Sequence, residues 1–207
     1  MIVSVFANIF KIKNAQKIVK NNLAPTAPKI SDVSNCRCKE IMRVFLLGFF
    51  SLLAFAWIHE NILWNHTWSM PVGLYIKENK PVKVGSVVEA CAPKWLVAMG
   101  YAISSSRCHG GSLILKHVGA LPGQRISVFV KNAKKTVFID GKDTGATILS
   151  SDSHGRSLPS FSGGVVPPGH VFLFSTFSKR SADSRYFGWV PTKDILGVYT
   201  CLVCFNK

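Results

Sequence analysis

The sequence predicts a mainly β domain, antiparallel and with one or few short helices, preceded by an N-terminal transmembrane helix. Three observations carry that expectation. Val44 to Ile58 is an uncharged, largely apolar run of 15 residues. The chain after it breaks into short β-rich runs separated by Gly, Pro and Ser, and only one later stretch, Lys94 to Ile103, reads as a helix. With 207 residues and 48% hydrophobic content there is enough chain for one core and an anchor, and not for two full domains.

Taken in order, residues 1–41 form a basic extension of net charge +5. Met1 to Asn21 has the composition of a basic amphipathic surface helix without a clean apolar stripe, and Ala24-Pro25-Thr26-Ala27-Pro28 breaks any continuous helix. A start at Met42 is the competing reading, because Met42-Arg43 and the run after it already make a charged n-region and an apolar h-region. Residues 42–64 are the expected anchor. Val44 to Ile58 alone spans about 22 Å of a hydrocarbon core of about 30 Å, so Ile62, Leu63 and Trp64 are expected to lengthen it. A cleaved signal peptide is the alternative, since Ala54-Phe55-Ala56 has the small-x-small form of a cleavage site. Basic residues precede the apolar run, so the positive-inside rule orients residues 65–207 across the membrane, on the periplasmic side of a bacterial inner membrane.

In the exported part the expected strands are Gly73 to Lys77, Val84 to Ala90, Ser112 to Val118, Arg125 to Val130, Thr136 to Asp140, His170 to Ser175 and Gly197 to Phe205. Asp140-Gly141 is a hairpin turn signal, and Pro93 opens the expected helix. Ser150 to Pro168 is a polar loop without periodicity. Export puts Cys91, Cys108, Cys201 and Cys204 in an oxidising compartment, where four cysteines allow three pairings. Cys91 and Cys108 flank the helix and are the expected disulfide. Cys201 and Cys204, three apart on a strand, are expected on opposite faces as structural cysteines.

The formal charge of +15 would suit a nucleic-acid partner, but the positive residues are scattered, and no zinc-finger spacing, RNA-recognition signature or phosphate-binding glycine loop occurs. Nucleic acid is not an expected partner. Two segments carry chemistry instead. Ser69 lies in Thr67-Trp68-Ser69-Met70-Pro71-Val72-Gly73-Leu74-Tyr75, just past the anchor, and a serine hydroxyl needs a base to become a nucleophile. His66, His109, His117, His154 and His170 are candidates, but the Gly-x-Ser-x-Gly elbow is missing. Lys116 in Leu113-Ile114-Leu115-Lys116-His117-Val118 is the stronger one: a strand puts it on one face with Ile114 and Val118, and burial there favours a neutral amine. A lysine whose head snorkels to water is the plain alternative.

These two segments, with Ser181-Ala182-Asp183-Ser184-Arg185-Tyr186-Phe187-Gly188-Trp189-Val190-Pro191, resemble the successive signature boxes of bacterial signal peptidase I. The spacing Ser-Met-Pro-x-Gly-Leu-Tyr resembles the conjugative-transfer (TraF-like) branch, the pilin maturation peptidases. The resemblance implies a Ser/Lys endopeptidase in which Ser69 is the nucleophile, Lys116 the general base, and the Ser69 N–H with the Thr67 hydroxyl the oxyanion hole. It further implies that Ser181 orients the lysine, that Asp183 takes part in activity, and that Asp183 and Arg185 brace the site, against the plainer reading of a structural ion pair. No metal or other cofactor is implied. The expected partners are an exported precursor, a pilin above all, the inner membrane, and the type IV secretion or mating-pair apparatus, with head-to-tail closure of the pilin in some members. A general leader peptidase and an inactive scaffold of the transfer apparatus are the alternatives. His117 and Gln124 depart from the family, which usually has arginine and aspartate there.

Overall fold

The computed structural model describes residues 30–205, with side chains from residue 37 onward. The expected surface helix at Met1 to Asn21 and the proline break at Ala24 to Pro28 lie outside the described residues. The chain divides into two units after Phe55.

Helix α1, Ile30–Asn61, begins well before Met42, because nothing between them is Gly or Pro. Within its segment Arg37–Asn61 an 18-residue window has a mean hydropathy of 2.1, and the segment is long and apolar enough to cross a membrane. The helix closes where the Asn61 amide donates to the Trp57 carbonyl. Ile62, Leu63 and Trp64 do not prolong it: Ile62–Asn65 is strand β1, paired antiparallel with β2, Val72–Glu78. A strand partner in register satisfies their backbone groups, which a helix ended by Asn61 no longer can.

The rest of the second unit is two antiparallel sheets. The first has seven strands, in the order β1, β2, β11 (Ile195–Phe205), β3 (Val87–Ala92), β4 (Ser112–Ala120), β9 (His170–Phe174) and β10 (Val190–Pro191). The second has four, in the order β7 (Lys142–Ile148), β6 (Lys134–Ile139), β5 (Arg125–Lys131) and β8 (Gly163–Val165). Strand β9 serves two cores. Val171 and Leu173 enter a cluster with Val88, Ala90, Ile114 and Val118, while Phe172 enters another with Ile126, Val137 and Val166. Strand alternation sends successive side chains to opposite faces, so one strand joins both clusters.

The expected helix is shorter than its sequence pattern. Helix α2 is Lys94–Ala98, stopped by Gly100 at φ 75°, with the Tyr101 and Gly100 amides returning to the Leu96 and Val97 carbonyls. A disulfide joins Cys91 on β3 to Cys108 in the short turn of helix after α2. The cysteines of β11 differ from the expectation of opposite faces. A register shift between Cys201 and Val203 breaks the alternation, and Cys201 bonds to Cys204. The loop expected at Ser150 to Pro168 contains β8 and a Ser151–Ser157 bridge.

Candidate active site

Ser69 sits in the turn between β1 and β2, on a segment short enough that its geometry is set by hydrogen bonds. The side chain of Asn65, the last residue of β1, is the centre of that set. Its amide nitrogen donates to the carbonyls of Thr67, Met70 and Pro71 at 3.0, 3.2 and 2.9 Å. Its carbonyl oxygen accepts from the Thr67 N–H at 3.2 Å and from the Thr67 hydroxyl at 2.8 Å. Met70 is buried in a third cluster with Tyr75, Leu115 and Tyr199, and the Tyr75 hydroxyl donates to the Pro71 carbonyl at 2.8 Å. On the other side the Ser175 hydroxyl donates to the Ser69 carbonyl.

Lys116 reaches Ser69 from the middle of β4. Its Nζ lies 2.9 Å from the Ser69 Oγ and also donates to the Leu115 carbonyl at 3.0 Å. Ile114 and Val118, two residues to either side, are buried in the core on its face of the strand, and Lys116 itself is only 3% exposed. Burial therefore lowers its pKa from the ordinary 10.5 to about 8, with the Asp183 charge opposing and the Arg185 charge reinforcing the shift. No histidine bonds to Ser69 among the described residues. His117 points away from Lys116, stacked on Phe177 with Nδ1 3.3 Å from the Gly85 carbonyl.

The third segment folds as a turn and helix α3, Ser184–Phe187, with Asp183 as its N-cap. Asp183 and Arg185 are both fully buried, and Arg185 Nε and Nη2 each reach a carboxylate oxygen at 2.7 Å. Burial opposes the guanidinium's charge, but the Asp183 carboxylate outweighs it and raises the Arg185 pKa. Arg185 also donates to the carbonyls of Thr147 and Ser181, and the Ser175 N–H donates to Asp183. The pair thus ties β7, the Ser181 turn and the end of β9 together. Ser175 carries this bracing to the carbonyl of Ser69.

Two expectations meet a different geometry. Ser181 is 3% exposed and lines the same cleft as Ser69 and Lys116, yet its hydroxyl has no hydrogen-bond partner, so the implied bond to the lysine is not formed. The Thr67 hydroxyl lies 3.2 Å from the Ser69 Oγ but is turned to Asn65. At the altered position after the lysine segment, Gln124 accepts from the Leu121 N–H and donates to Asp140, so the amide holds a turn where the family usually has a charge. The cleft, about 810 Å³, runs over Trp64, His66, Thr67 and Ser69 to Leu113, Lys116 and Ser181. Asn65 and Ser175 escaped the sequence reading because they act on backbone atoms. An Asn ending a strand at the start of a tight turn was the available signal for Asn65. Ser175 had none.

A family match and three relatives accompany this geometry. Residues 38–204 match the family described as signal peptidase, peptidase S26. The chain is 41% identical over 153 residues to a conjugal transfer protein TraF of Agrobacterium fabrum, covering 69% of this chain and 82% of that one. It is 40% identical over 175 residues to a conjugal transfer protein TraF of Agrobacterium tumefaciens, covering 79% and 96%. A probable signal peptidase I-1 of Synechocystis is 28% identical over 117 residues, covering 56% and 52%.

Proposed function

Because the chain belongs to the signal peptidase family, peptidase S26, we propose that it is a membrane-anchored serine endopeptidase working through a Ser69/Lys116 dyad on an exported precursor. The single observation that carries this reading is the 2.9 Å approach of a buried lysine to the serine hydroxyl. A lysine held near pKa 8 is partly neutral at physiological pH and accepts the Ser69 proton as the oxygen attacks a carbonyl. The proton then passes to the leaving amine, and an ester remains on Ser69. The Ser69 N–H and the Thr67 hydroxyl receive the oxyanion. Asp183 and Arg185 hold the corner rigid rather than touch the reacting atoms. Residues 65–207 are the exported peptidase unit and α1 the anchor, with the N-terminus cytoplasmic.

The substrate in this reading is a pilin of a conjugative transfer system. The two Agrobacterium relatives named for conjugal transfer, at 41% and 40% identity, favour a dedicated substrate over a general leader peptidase role. The ester on Ser69 is resolved either by water or by the pilin's own N-terminal amine. Effective molarities of about 10⁵ M or more let a held amine win. Co-expression with the pilin precursor tests both levels. Ser69→Ala and Lys116→Ala should each abolish processing while the protein stays folded and membrane-bound, since nucleophile and base act as one unit. Near-normal processing by Lys116→Ala would defeat the dyad. Intact mass then reads the product: a closed pilin is one water lighter than the linear chain and has no free N-terminus, and a linear product of full hydrolytic mass leaves the peptidase and removes the closure.

A further inference from the structure

We propose that Asn65 is a positioning residue for acylation, which fixes the nucleophile turn and holds the Thr67 hydroxyl in reserve for the oxyanion. This rests on the Ser69/Lys116 reading and adds a residue that the reading does not require. The hydrogen-bonding capacity of the Asn65 side chain is spent on one short segment. Its amide spans the carbonyls of Thr67, Met70 and Pro71, which flank Ser69 on both sides, and its oxygen takes the Thr67 N–H and hydroxyl. Asn65 is 6% exposed, so its own side of these bonds is shielded from water, while Thr67 lies at the open face of the turn. Its own backbone is fixed by pairing with Gly73 across β1 and β2.

The consequence for chemistry follows from the Thr67 hydroxyl having one proton. While that proton is on Asn65 Oδ1, at 2.8 Å, Thr67 can only accept from Ser69, whose Oγ lies 3.2 Å away. Thr67 therefore does not donate to the Ser69 oxygen and blunt it as a nucleophile. When the tetrahedral oxyanion forms, rotation of the hydroxyl exchanges a bond to a neutral amide for a charge-assisted one, which is stronger. The gain appears only in the transition state, which is where it accelerates the reaction.

The test uses the full-length protein in detergent and a p-nitrophenyl ester, whose burst of p-nitrophenolate reads acylation of a serine without any need for the natural substrate. Asn65→Ala should lower the burst rate constant at saturating ester by about 10- to 100-fold. The half-saturating concentration should stay within about twofold and the pH midpoint should not move, because the Lys116 surroundings are untouched. In a Thr67→Val background the same substitution should cost several-fold less, since part of its action has already been removed. If Asn65→Ala loses the folded circular dichroism signal, Asn65→Ser, which keeps an acceptor but drops the amide donor, is read in its place. A burst lost in Ser69→Ala but within about twofold of wild type in the Asn65 variant overturns this proposal alone, as does full additivity with Thr67→Val for the hydroxyl route. A burst that survives Ser69→Ala overturns the dyad, and this proposal with it.

Discussion

In the proposed dyad, Lys116 would trade stability for chemistry. Its pKa of about 8 means that below that pH the folded protein carries a buried ammonium, and above it a free base. Initial rates should therefore rise with pH through about 8 and level off above it; a midpoint near 6.5 would point to a histidine instead. The same shift sets a stability effect. An unfolded lysine keeps its proton to about pH 10.4, so the unfolded state binds the extra proton between about 8 and that value, and stability rises with pH across that window. Below pH 8 the full cost is present, up to about 3 kcal/mol for a shift of this size. Lys116→Met should accordingly be inactive yet melt higher than the parent at pH 7, with the gap closing toward pH 10; equal melting temperatures at both pH values would contradict a strained lysine. Apolar residues at two-residue spacing put Lys116 on the face of Ile114 and Val118, but a head buried there and one snorkelling to water share that pattern, and only the resemblance to the signal peptidases chose between them. The partnerless Ser181 hydroxyl could not be read in the sequence, because a motif gives residue types and not rotamers.

At the level of elements, the strands with dense β-branched or aromatic runs were legible and those held only by partners were not. Ser112 to Val118 and Gly197 to Phe205 declare themselves, inside strands that run to Ala120 and begin at Ile195, whereas β7, with Asp143 and Gly145, and β8, Gly163–Val165, form because neighbours offer a ladder. Gly73 is the element-scale counterpart of Lys116. A Cβ there would stand 2.1 Å from the Val203 carbonyl oxygen, and its φ of 157° is one that side-chain-bearing residues rarely adopt. Gly73→Ala should push β11 off β2, lower the melting temperature, and slow acylation through the paired Asn65; a variant as stable and fast as the parent would show that this end of the sheet does not position the turn. The Cys91–Cys108 bridge closes a loop of sequence separation 17 on β3, the strand beside β4. Replacing both cysteines by Ala should cost about 3 kcal/mol of stability and leave activity at low temperature. Unchanged unfolding would mean that the sheet pairing already supplies the constraint.

For the whole molecule, the sequence showed an apolar run ahead of a β-rich part, but not where the helix ends. An apolar run reports where lipid is tolerated; the helix end is set by Asn61 and by the strand pairing that claims Ile62 to Asn65. The start was equally hidden, since the turns before Met42 are polar and helical at once. This gives the Met42 question a physical form. From Met42 to Asn61 the helix is roughly 30 Å long, enough for a hydrocarbon core of about 30 Å, and Arg43 supplies a positive flank. In the proposed topology the longer chain adds further charge, including Arg37 and Lys39, which would strengthen the same orientation. A chain begun at Met42 should therefore insert with the same topology and process its precursor at a rate within about threefold of the full chain, since nothing in the β unit is altered. Expression in a strain lacking the full-length protein, with protease accessibility read on intact spheroplasts, measures both quantities together. Correct insertion with processing lost would assign residues 1–41 a role in bringing the precursor to Ser69, because insertion and the dyad would both be intact.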